Sequence, residues 1–214
     1  MFSCYSSVTF KMQEDGTLFL EVDDTTAIIP VNYTAYPFKG YPEKRGVVTY
    51  LTDFSTTKSL PGYKHTFDVT LTQMDTVYTK NPVVSTGSAE GDETFYGKDK
   101  LGIYFSGFPY TTVEDGYLFL SFSLMAGGSI PHDINLVTGL NPDDPYEIEL
   151  RHNAHSDAPL YQFDGTVNFS LKDLPDTNGE TVDLTLKWTS LVSGEKESFK
   201  FKYCSRTDWP VPNL

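Results

Sequence analysis

The stretch Glu149–Tyr161 carries the side chains of this protein that are best suited to chemistry. It contains Arg151, two histidines three residues apart (His152 and His155), and the carboxylate of Asp157. Neutral imidazoles and carboxylates are the usual ligands of a catalytic zinc ion, which activates water for hydrolysis. One hypothesis for the function is therefore a metal-dependent hydrolase that uses His152, His155 and Asp157.

The strand that leads into this stretch predicts a structural role for His152. In it, the apolar residues Ile148 and Leu150 alternate with charged ones. This period of two places His152 on the apolar face and both Glu149 and Arg151 in solvent. We therefore expect His152 to be a part-buried histidine that forms a hydrogen bond with the backbone.

The two histidines can meet only if the chain turns between them. Residues three apart on a strand point to opposite faces, but Asn153 and the later Asp157-Ala158-Pro159 favour a turn. A metal site therefore stays open, although it would need a third ligand. The same parity places His132 and His65 on apolar faces at strand ends, which is typical of edge and capping interactions.

Sequence motifs for catalysis and for cofactor binding are absent. There is no Gly-x-Ser-x-Gly elbow, no Ser-x-x-Lys and no His-Glu-x-x-His, and Gly127-Gly128 alone does not make a phosphate-binding loop. Cys4 and Cys204 lie near opposite ends and are either separate thiols or one long-range disulfide. Two cysteines this far apart give no zinc signature. We predict no catalytic residues, no cofactor and no bound metal.

The charge of the protein argues against nucleic acid as a partner. The 214 residues carry a formal net charge of −13, and an acidic surface repels phosphate groups. No apolar run approaches the roughly 20 residues that span a bilayer. We expect a monomer, located either in the cytosol or, if a targeting segment is not part of this sequence, beyond the inner membrane.

Apolar residues recur with a period of two almost everywhere, which predicts an all-β fold. Between Lys80 and Lys100 this alternation stops and turn residues accumulate, so we predict a linker without regular structure. About five strands in residues 1–82 predict a small OB-like β-barrel. The linker and about six or seven strands in residues 83–214 predict an immunoglobulin-like β-sandwich.

The best candidate for a binding surface is the proline- and glycine-rich loop 32–42. It holds four aromatic residues, which are Tyr33, Tyr36, Phe38 and Tyr41. Exposed rings on a rigid loop can stack on sugars or anchor a partner protein. The alternative is that these rings pack against the barrel or against the second domain.

Several segments resemble the NigD-like family. They are Ser129–Val137, Asn141-Pro142-Asp143-Asp144, Leu150–Ala154 with Asp157 beyond, and the N-terminal pattern of Leu18–Val22 followed by Asp23-Asp24 and Tyr50. The resemblance covers essentially the whole chain and is strongest over residues 117–171. It implies an N-terminal OB-like barrel followed by a β-sandwich. It also implies a lipoprotein of a Gram-negative anaerobe, exported across the inner membrane and anchored by a lipidated cysteine.

The sequence departs from this pattern at its start. Cys4 lies within the first strand pattern, so we do not assign it as the lipid-bearing residue, and we expect a leader that this sequence does not include. The family name derives from a bacteriocin gene cluster, and the resemblance implies no catalytic residues. We therefore predict a non-enzymatic lipoprotein of the cell envelope, at the periplasmic or cell-surface face of the outer membrane, that binds a protein or glycan. A bacteriocin immunity protein and a metal-dependent hydrolase are the alternatives.

Overall fold

The computed structural model describes residues 1–33 and 35–210. Two units form: Met1–Tyr78 with the C-terminal segment from Thr207, and Thr79–Arg206. The division falls between Tyr78 and Thr79, a few residues before the predicted boundary at 82 and 83. Regular structure in the described residues is almost entirely β, which confirms the predicted all-β class. No helix among them is long and apolar enough to cross a membrane.

The N-terminal unit is a closed barrel of five strands. They are β1 (Phe2–Met12), β2 (Leu18–Asp23), β3 (Thr26–Pro30), β4 (Glu43–Thr52) and β5 (His65–Thr76). Strand β1 pairs with β2 on one side and with β4 on the other, while β3 runs parallel to β5, so the order is β1-β2-β3-β5-β4. This small closed barrel confirms the predicted OB-like architecture.

Alternate residues of the barrel strands point inward and exclude water from its centre. The buried residues of this core are Val8, Phe10, Leu18, Leu20, Ile28, Val48, Tyr50, Val69 and Leu71. Gly46 on β4 is required for close packing, because a Cβ atom there would lie 2.4 Å from the ring of Phe10. Burial of such apolar surface is the main stabilising contribution to the unit.

The second unit is a sandwich of two five-stranded sheets. One sheet has the order β6 (Thr79–Lys80), β13 (Tyr161–Ser170), β10 (Tyr117–Ala126) and β8 (Gly102–Ile103), with β9 (Thr112–Glu114) also paired to β10. The other has the order β15 (Lys196–Tyr203), β14 (Val182–Thr189), β12 (Glu147–Asn153), β11 (Asp133–Thr138) and β7 (Val83–Val84). Their inner faces share one apolar core, which includes Leu118, Phe169, Leu136, Ile148, Leu186 and Trp188.

The prediction of an unstructured linker between Lys80 and Lys100 is wrong. This segment contains β7 and a helix, α1 (Ala89–Tyr96), and it belongs to the sandwich unit. Ser88 caps the helix by accepting a hydrogen bond from the N–H of Gly91, and Gly97 ends it at φ 90°. Serine and glycine favour turns and helix caps alike, so the composition of a short capped helix matches that of a linker.

Candidate functional site

Two histidines are in direct contact within the sandwich unit. His152 lies near the end of β12 and His132 immediately precedes β11, with His132 Nδ1 2.8 Å from His152 Nε2. The two strands are antiparallel neighbours with Ile134 opposite His152, so their pairing brings the rings together. His152 is only 2% exposed. His152 thus lies on the apolar face as predicted, and it is more deeply buried than the part-buried histidine that the sequence suggested.

Hydrogen-bond acceptors lie at both ends of this pair of rings. His152 Nδ1 is 3.0 Å from the carbonyl oxygen of Lys100, and His132 Nε2 is 3.2 Å from Oδ2 of Asp157. The Asp157 carboxylate also accepts hydrogen bonds from the N–H groups of Gly127 (2.6 Å) and Gly128 (3.1 Å). All four ring nitrogens are therefore occupied within the fold. We call Lys100 O, His152, His132 and Asp157 the histidine network.

A tight turn after β12 brings Asp157 to this position. His155 and Ser156 both adopt positive φ, at 49° and 66°, a conformation that residues other than glycine rarely adopt. The N–H of Asp157 donates to the carbonyl of Ala154 at 2.8 Å and closes the turn. The turn-forming residues recognised in the sequence thus bend the chain, and they direct Asp157 towards His132.

The number of protons in the network follows from its hydrogen bonds. The Lys100 carbonyl and the Asp157 carboxylate only accept, so each needs a ring N–H, and a third N–H must join the two rings. Two neutral imidazoles supply only two N–H groups. The network is therefore complete when the histidine pair holds one additional proton, and the adjacent carboxylate of Asp157 balances its charge.

Burial and hydrogen bonds shift the pKa values of two members of the network. Burial lowers the pKa of His152 and outweighs the opposite effect of its hydrogen bond with the Lys100 carbonyl. Burial alone would raise the pKa of Asp157, but the hydrogen bonds from Gly127, His132, Gly128 and Ser129 together lower it. The lowered pKa values favour a neutral His152 and an ionised Asp157 within the network.

The structure does not bring His155 into this network. Its side chain is 43% exposed, and its Nε2 lies 2.8 Å from Oδ2 of Asp133. The hypothetical metal triad of His152, His155 and Asp157 is therefore not assembled. Among residues 1–33 and 35–210, no group of three or more His, Cys, Asp or Glu side chains is placed to hold a metal ion. Cys4 and Cys204 are both free thiols.

The predicted exposure was wrong for three polar residues. Glu149 and Arg151 were predicted to lie in solvent, but they are 6% and 4% exposed, with Arg151 Nε 3.1 Å from Glu149 Oε1. The segment that ends α1 covers this face of β12, since Arg151 also donates to the carbonyl of Gly97. His65 lies on the same face of β5 as Phe67, as predicted, and stacks on its ring, but it is exposed to solvent.

The aromatic loop contributes both to packing and to the surface. Phe38 lies 5.1 Å from the core ring of Phe10, between ring centroids, and Tyr36 contacts Phe38 edge to face at 5.5 Å. Burial raises the pKa of Tyr36 well above its usual range. Tyr33 and Tyr41 are 43% and 56% exposed, so these two rings are the ones available to a partner. Thr34 of this loop lies outside the described residues.

The barrel carries a cleft that the sequence analysis did not identify. It has a volume of about 560 Å³ and lies between the β1–β2 turn and the β4–β5 loop. Its lining residues are Met12, Gln13, Glu14, Asp15, Phe19, Leu60, Pro61 and Tyr63. Phe19 and Tyr63 meet edge to face at 5.8 Å, and the Tyr63 hydroxyl donates to the buried carboxylate of Glu21, which also pairs with Lys11 at 2.5 Å.

The position of this cleft agrees with the use of OB barrels elsewhere. Such barrels bind oligonucleotides and oligosaccharides on the face of strands 2 and 3 and with the loops that join strands 1–2 and 4–5. The OB-like prediction therefore contained a signal for this site. The sequence analysis did not use that signal, because it located no residues of the loops that line the cleft.

The chain is similar to one protein family and to several solved structures. The family described as NigD-like C-terminal beta sandwich domain matches residues 82–203. A crystal structure from Parabacteroides distasonis, of a protein described as toxin-related, is 30% identical, with a TM-score of 0.72 over 95% of this chain and 94% of that one. No curated protein matches.

Two more distant structures share the fold. A NigD-like immunity protein from Bacteroides caccae is 17% identical, with a TM-score of 0.62 over 94% of this chain and 96% of that chain. A protein from Bacteroides fragilis described as a lipoprotein is 11% identical, with a TM-score of 0.56 over 95% of this chain and 99% of that one. At these identities the likeness concerns the fold alone, and it extends over both units.

Proposed function

This chain belongs to the NigD-like family, and on that premise we propose that it is a non-enzymatic binding protein of the bacterial cell envelope that holds an oligosaccharide in the barrel cleft. The histidine network supports a non-enzymatic role. A general base needs a ring nitrogen within reach of its substrate, and both nitrogens of His132 and of His152 already have partners inside the fold.

A location in the envelope is supported by the relatives. A protein with the same fold is described as a lipoprotein, and another as an immunity protein. We propose that the mature protein is lipid-anchored and faces the periplasm or the cell exterior. Labelling of the cells with a radioactive fatty acid, followed by capture of the protein, tests the anchor; a protein that carries no label would contradict it.

The observation that carries the binding proposal is the composition of the barrel cleft. Phe19 and Tyr63 are half-buried rings of its lining, and Glu14 and Asp15 are exposed carboxylates of the same lining. Ligand sites combine apolar and aromatic walls with a few polar groups that fix orientation. The rings suit the apolar face of a sugar, and the carboxylates accept hydrogen bonds from its hydroxyl or amino groups.

Charge decides between the two ligand classes that OB barrels bind. Glu14 and Asp15 and a formal net charge of −13 repel the phosphates of an oligonucleotide. The same charges favour a neutral or amino-bearing saccharide. We therefore expect oligomers of glucosamine to bind more tightly than oligomers of glucose, and sulfated oligosaccharides not to bind.

Calorimetric titration of the full chain with these oligosaccharides tests the proposal. The double variant Glu14→Gln with Asp15→Asn should weaken glucosamine-oligomer binding at least about fivefold, or roughly 1 kcal/mol. The amide introduced by Asp15→Asn retains an acceptor oxygen for the N–H of Thr17, so the turn is preserved. No binding by any oligosaccharide, or equal binding by this variant, would contradict the proposal.

A matched control is available at the other end of β2. Asp23 forms a turn of the same kind as Asp15, and its carboxylate accepts hydrogen bonds from the N–H and the hydroxyl of Thr25 at 2.8 Å each. It does not line the cleft. Asp23→Asn removes one negative charge from the barrel and should leave the affinity unchanged, which separates a local contact from a general effect of charge.

Bacteriocin immunity is a second candidate function. The observation in its favour is the fold that this chain shares with a protein described as a NigD-like immunity protein. Deletion of the gene followed by challenge with a toxin encoded beside it tests this function. Increased sensitivity of the deletion strain supports immunity, and unchanged sensitivity contradicts it.

A further inference from the structure

A second cleft, separate from the barrel, lies on the sandwich sheet formed by β8, β10 and β13. Its volume is about 480 Å³. Its lining includes the side chains of Tyr104, Ser106, Phe108, Ser121, Asp164 and Thr166. The histidine network contributes no residue to this cleft, and nothing in the proposed sugar binding by the barrel requires it.

Strand register places the polar residues of the cleft on one face. Ser121 on β10 pairs with Thr166 on β13, and the next residues on that face, Ser123 and Asp164, also pair. The N–H of Tyr104 donates to the carbonyl of Ser121 at 3.0 Å, which extends the sheet by one residue beyond β8. Hydroxyl groups therefore form the floor of the cleft, and the carboxylate of Asp164 stands at its side.

The carboxylate of Asp164 is held in place through one of its oxygens only. The Tyr104 hydroxyl donates to Oδ1 at 2.7 Å, and Gln162 Nε2 donates to the same oxygen at 3.2 Å. Gln162 Nε2 also lies 3.2 Å from the Tyr104 hydroxyl. No residue of the described chain donates a hydrogen bond to Oδ2. Asp164 is exposed, so a positioned acceptor faces solvent beside an aromatic ring.

The charges of this cleft are of one sign. Asp164 is the charged residue that lines it, and within the described part of the chain no lysine, arginine or histidine does so. A cation beside a carboxylate and a tyrosine ring gains both an ion pair and a cation–π interaction. The formal net charge of −13 also attracts basic partners over longer distances.

We propose that this cleft receives a lysine or arginine side chain from a partner protein. The loop that closes it presents Phe108 and Tyr110, which are 41% and 48% exposed. Aromatic surface around a pocket that takes a single anchor is typical of protein interfaces, where arginine is frequent among the residues that contribute most to affinity. The apolar stem of the side chain lies along the Tyr104 ring, and its charged end meets Asp164 Oδ2.

Nuclear magnetic resonance of the full chain tests this assignment with defined probes. Acetyl-Gly-Arg-Gly-amide and its lysine counterpart should produce saturable shifts in the amide signals of Gly107, Gly165 and Thr166. The citrulline peptide has nearly the same shape but no charge, and it should produce none. Equal shifts with citrulline, or shifts confined to other residues, would overturn the proposal.

Two variants and one small amine sharpen the test. Asp164→Asn should weaken arginine-peptide binding at least about fivefold, whereas Asp173→Asn, an exposed carboxylate of the same unit outside the cleft, should not change it. Undiminished binding by Asp164→Asn would contradict the proposal. Spermidine is a small polyamine. If it saturates the same amide signals at a lower concentration than the peptides do, the proposal that the occupant belongs to a partner protein would be contradicted. A loss of sugar binding by the barrel variants would leave these shifts intact, so the two proposals fail separately.

Discussion

His132 Nδ1 lies 2.8 Å from His152 Nε2, and this contact joins two strands of the sandwich through a pair of buried rings. The Lys100 carbonyl and the Asp157 carboxylate hold the outer nitrogens of the pair. A network with every ring nitrogen engaged stabilises one conformation of this part of the sandwich.

Stability should fall in acid because of His152. Burial lowers the pKa of His152 in the folded protein, whereas unfolded histidine titrates near pH 6.5. Below that pH the unfolded chain binds more protons, so the free energy of unfolding decreases, by at most about 1.4 kcal/mol per pH unit for each proton. Urea unfolding between pH 6.5 and pH 5 measures this slope.

Variants of two histidines separate the contribution of His152 to this pH dependence from the contributions of other titrating groups. His152→Gln removes the buried imidazole and should flatten the slope between pH 6.5 and pH 5, even though it destabilises the protein at neutral pH. His155→Gln changes an exposed ring outside the network and should keep the wild-type slope. An unchanged slope in His152→Gln would contradict the assignment.

Replacing only one partner of the Glu149–Arg151 ion pair should lower the stability of the protein. Both side chains are almost fully buried, at 8% and 5% exposure. Arg151→Met leaves the Glu149 carboxylate paired with Lys196 alone among the described residues, so we expect a loss below the roughly 3–5 kcal/mol that a fully uncompensated buried charge costs. Urea unfolding of Arg151→Met, Glu149→Leu and the double variant forms the test. A double variant no more stable than Arg151→Met would contradict a buried pair.

Gly97 should tolerate no side chain. Its φ is 90°, and a Cβ atom would lie 2.2 Å from the carbonyl oxygen of His152. Gly87 has nearly the same φ, 88°, with no atom within 4 Å of such a Cβ, so Gly87→Ala measures the backbone strain alone, about 1–2 kcal/mol. Gly97→Ala should lower the melting temperature clearly more than Gly87→Ala; equal losses would contradict the close packing of α1 against β12.

The aromatic loop should divide into packing and surface residues. Phe38→Ala removes a ring that contacts Phe10 and should cost about 1–3 kcal/mol, less than for a fully buried phenylalanine. Tyr41→Ala removes an exposed ring beside Lys44 and should change stability by less than about 0.5 kcal/mol. Thermal unfolding of both variants checks this, and similar losses would contradict the division.

Much of the fold could be predicted because alternation reports which strand faces are buried. It indicated the all-β class, the two kinds of unit and the inward side of His152. It could not show that α1 and Gly97 cover the other face of β12, so Glu149 and Arg151 were misplaced. The helix itself spans eight residues, too few for a helical period to stand out.

The sites were less predictable because they depend on contacts between distant residues. His132 and His152 are 20 positions apart, and their contact follows from the pairing of β11 with β12. Likewise, the barrel cleft joins a turn at Gln13–Asp15 to a loop that ends near Tyr63, and only closure of the barrel brings them together. The alternation of apolar and polar residues along the chain does not show which strands pair or which loops meet.

The most direct test of the account is an NMR measurement of the imidazole nitrogens near neutral pH, made with and without one equivalent of zinc. We predict that zinc leaves the signals of all four ring nitrogens of His132 and His152 unchanged, because each nitrogen already has a partner within the fold. Zinc-induced shifts of these nitrogens would contradict a closed and structural histidine network.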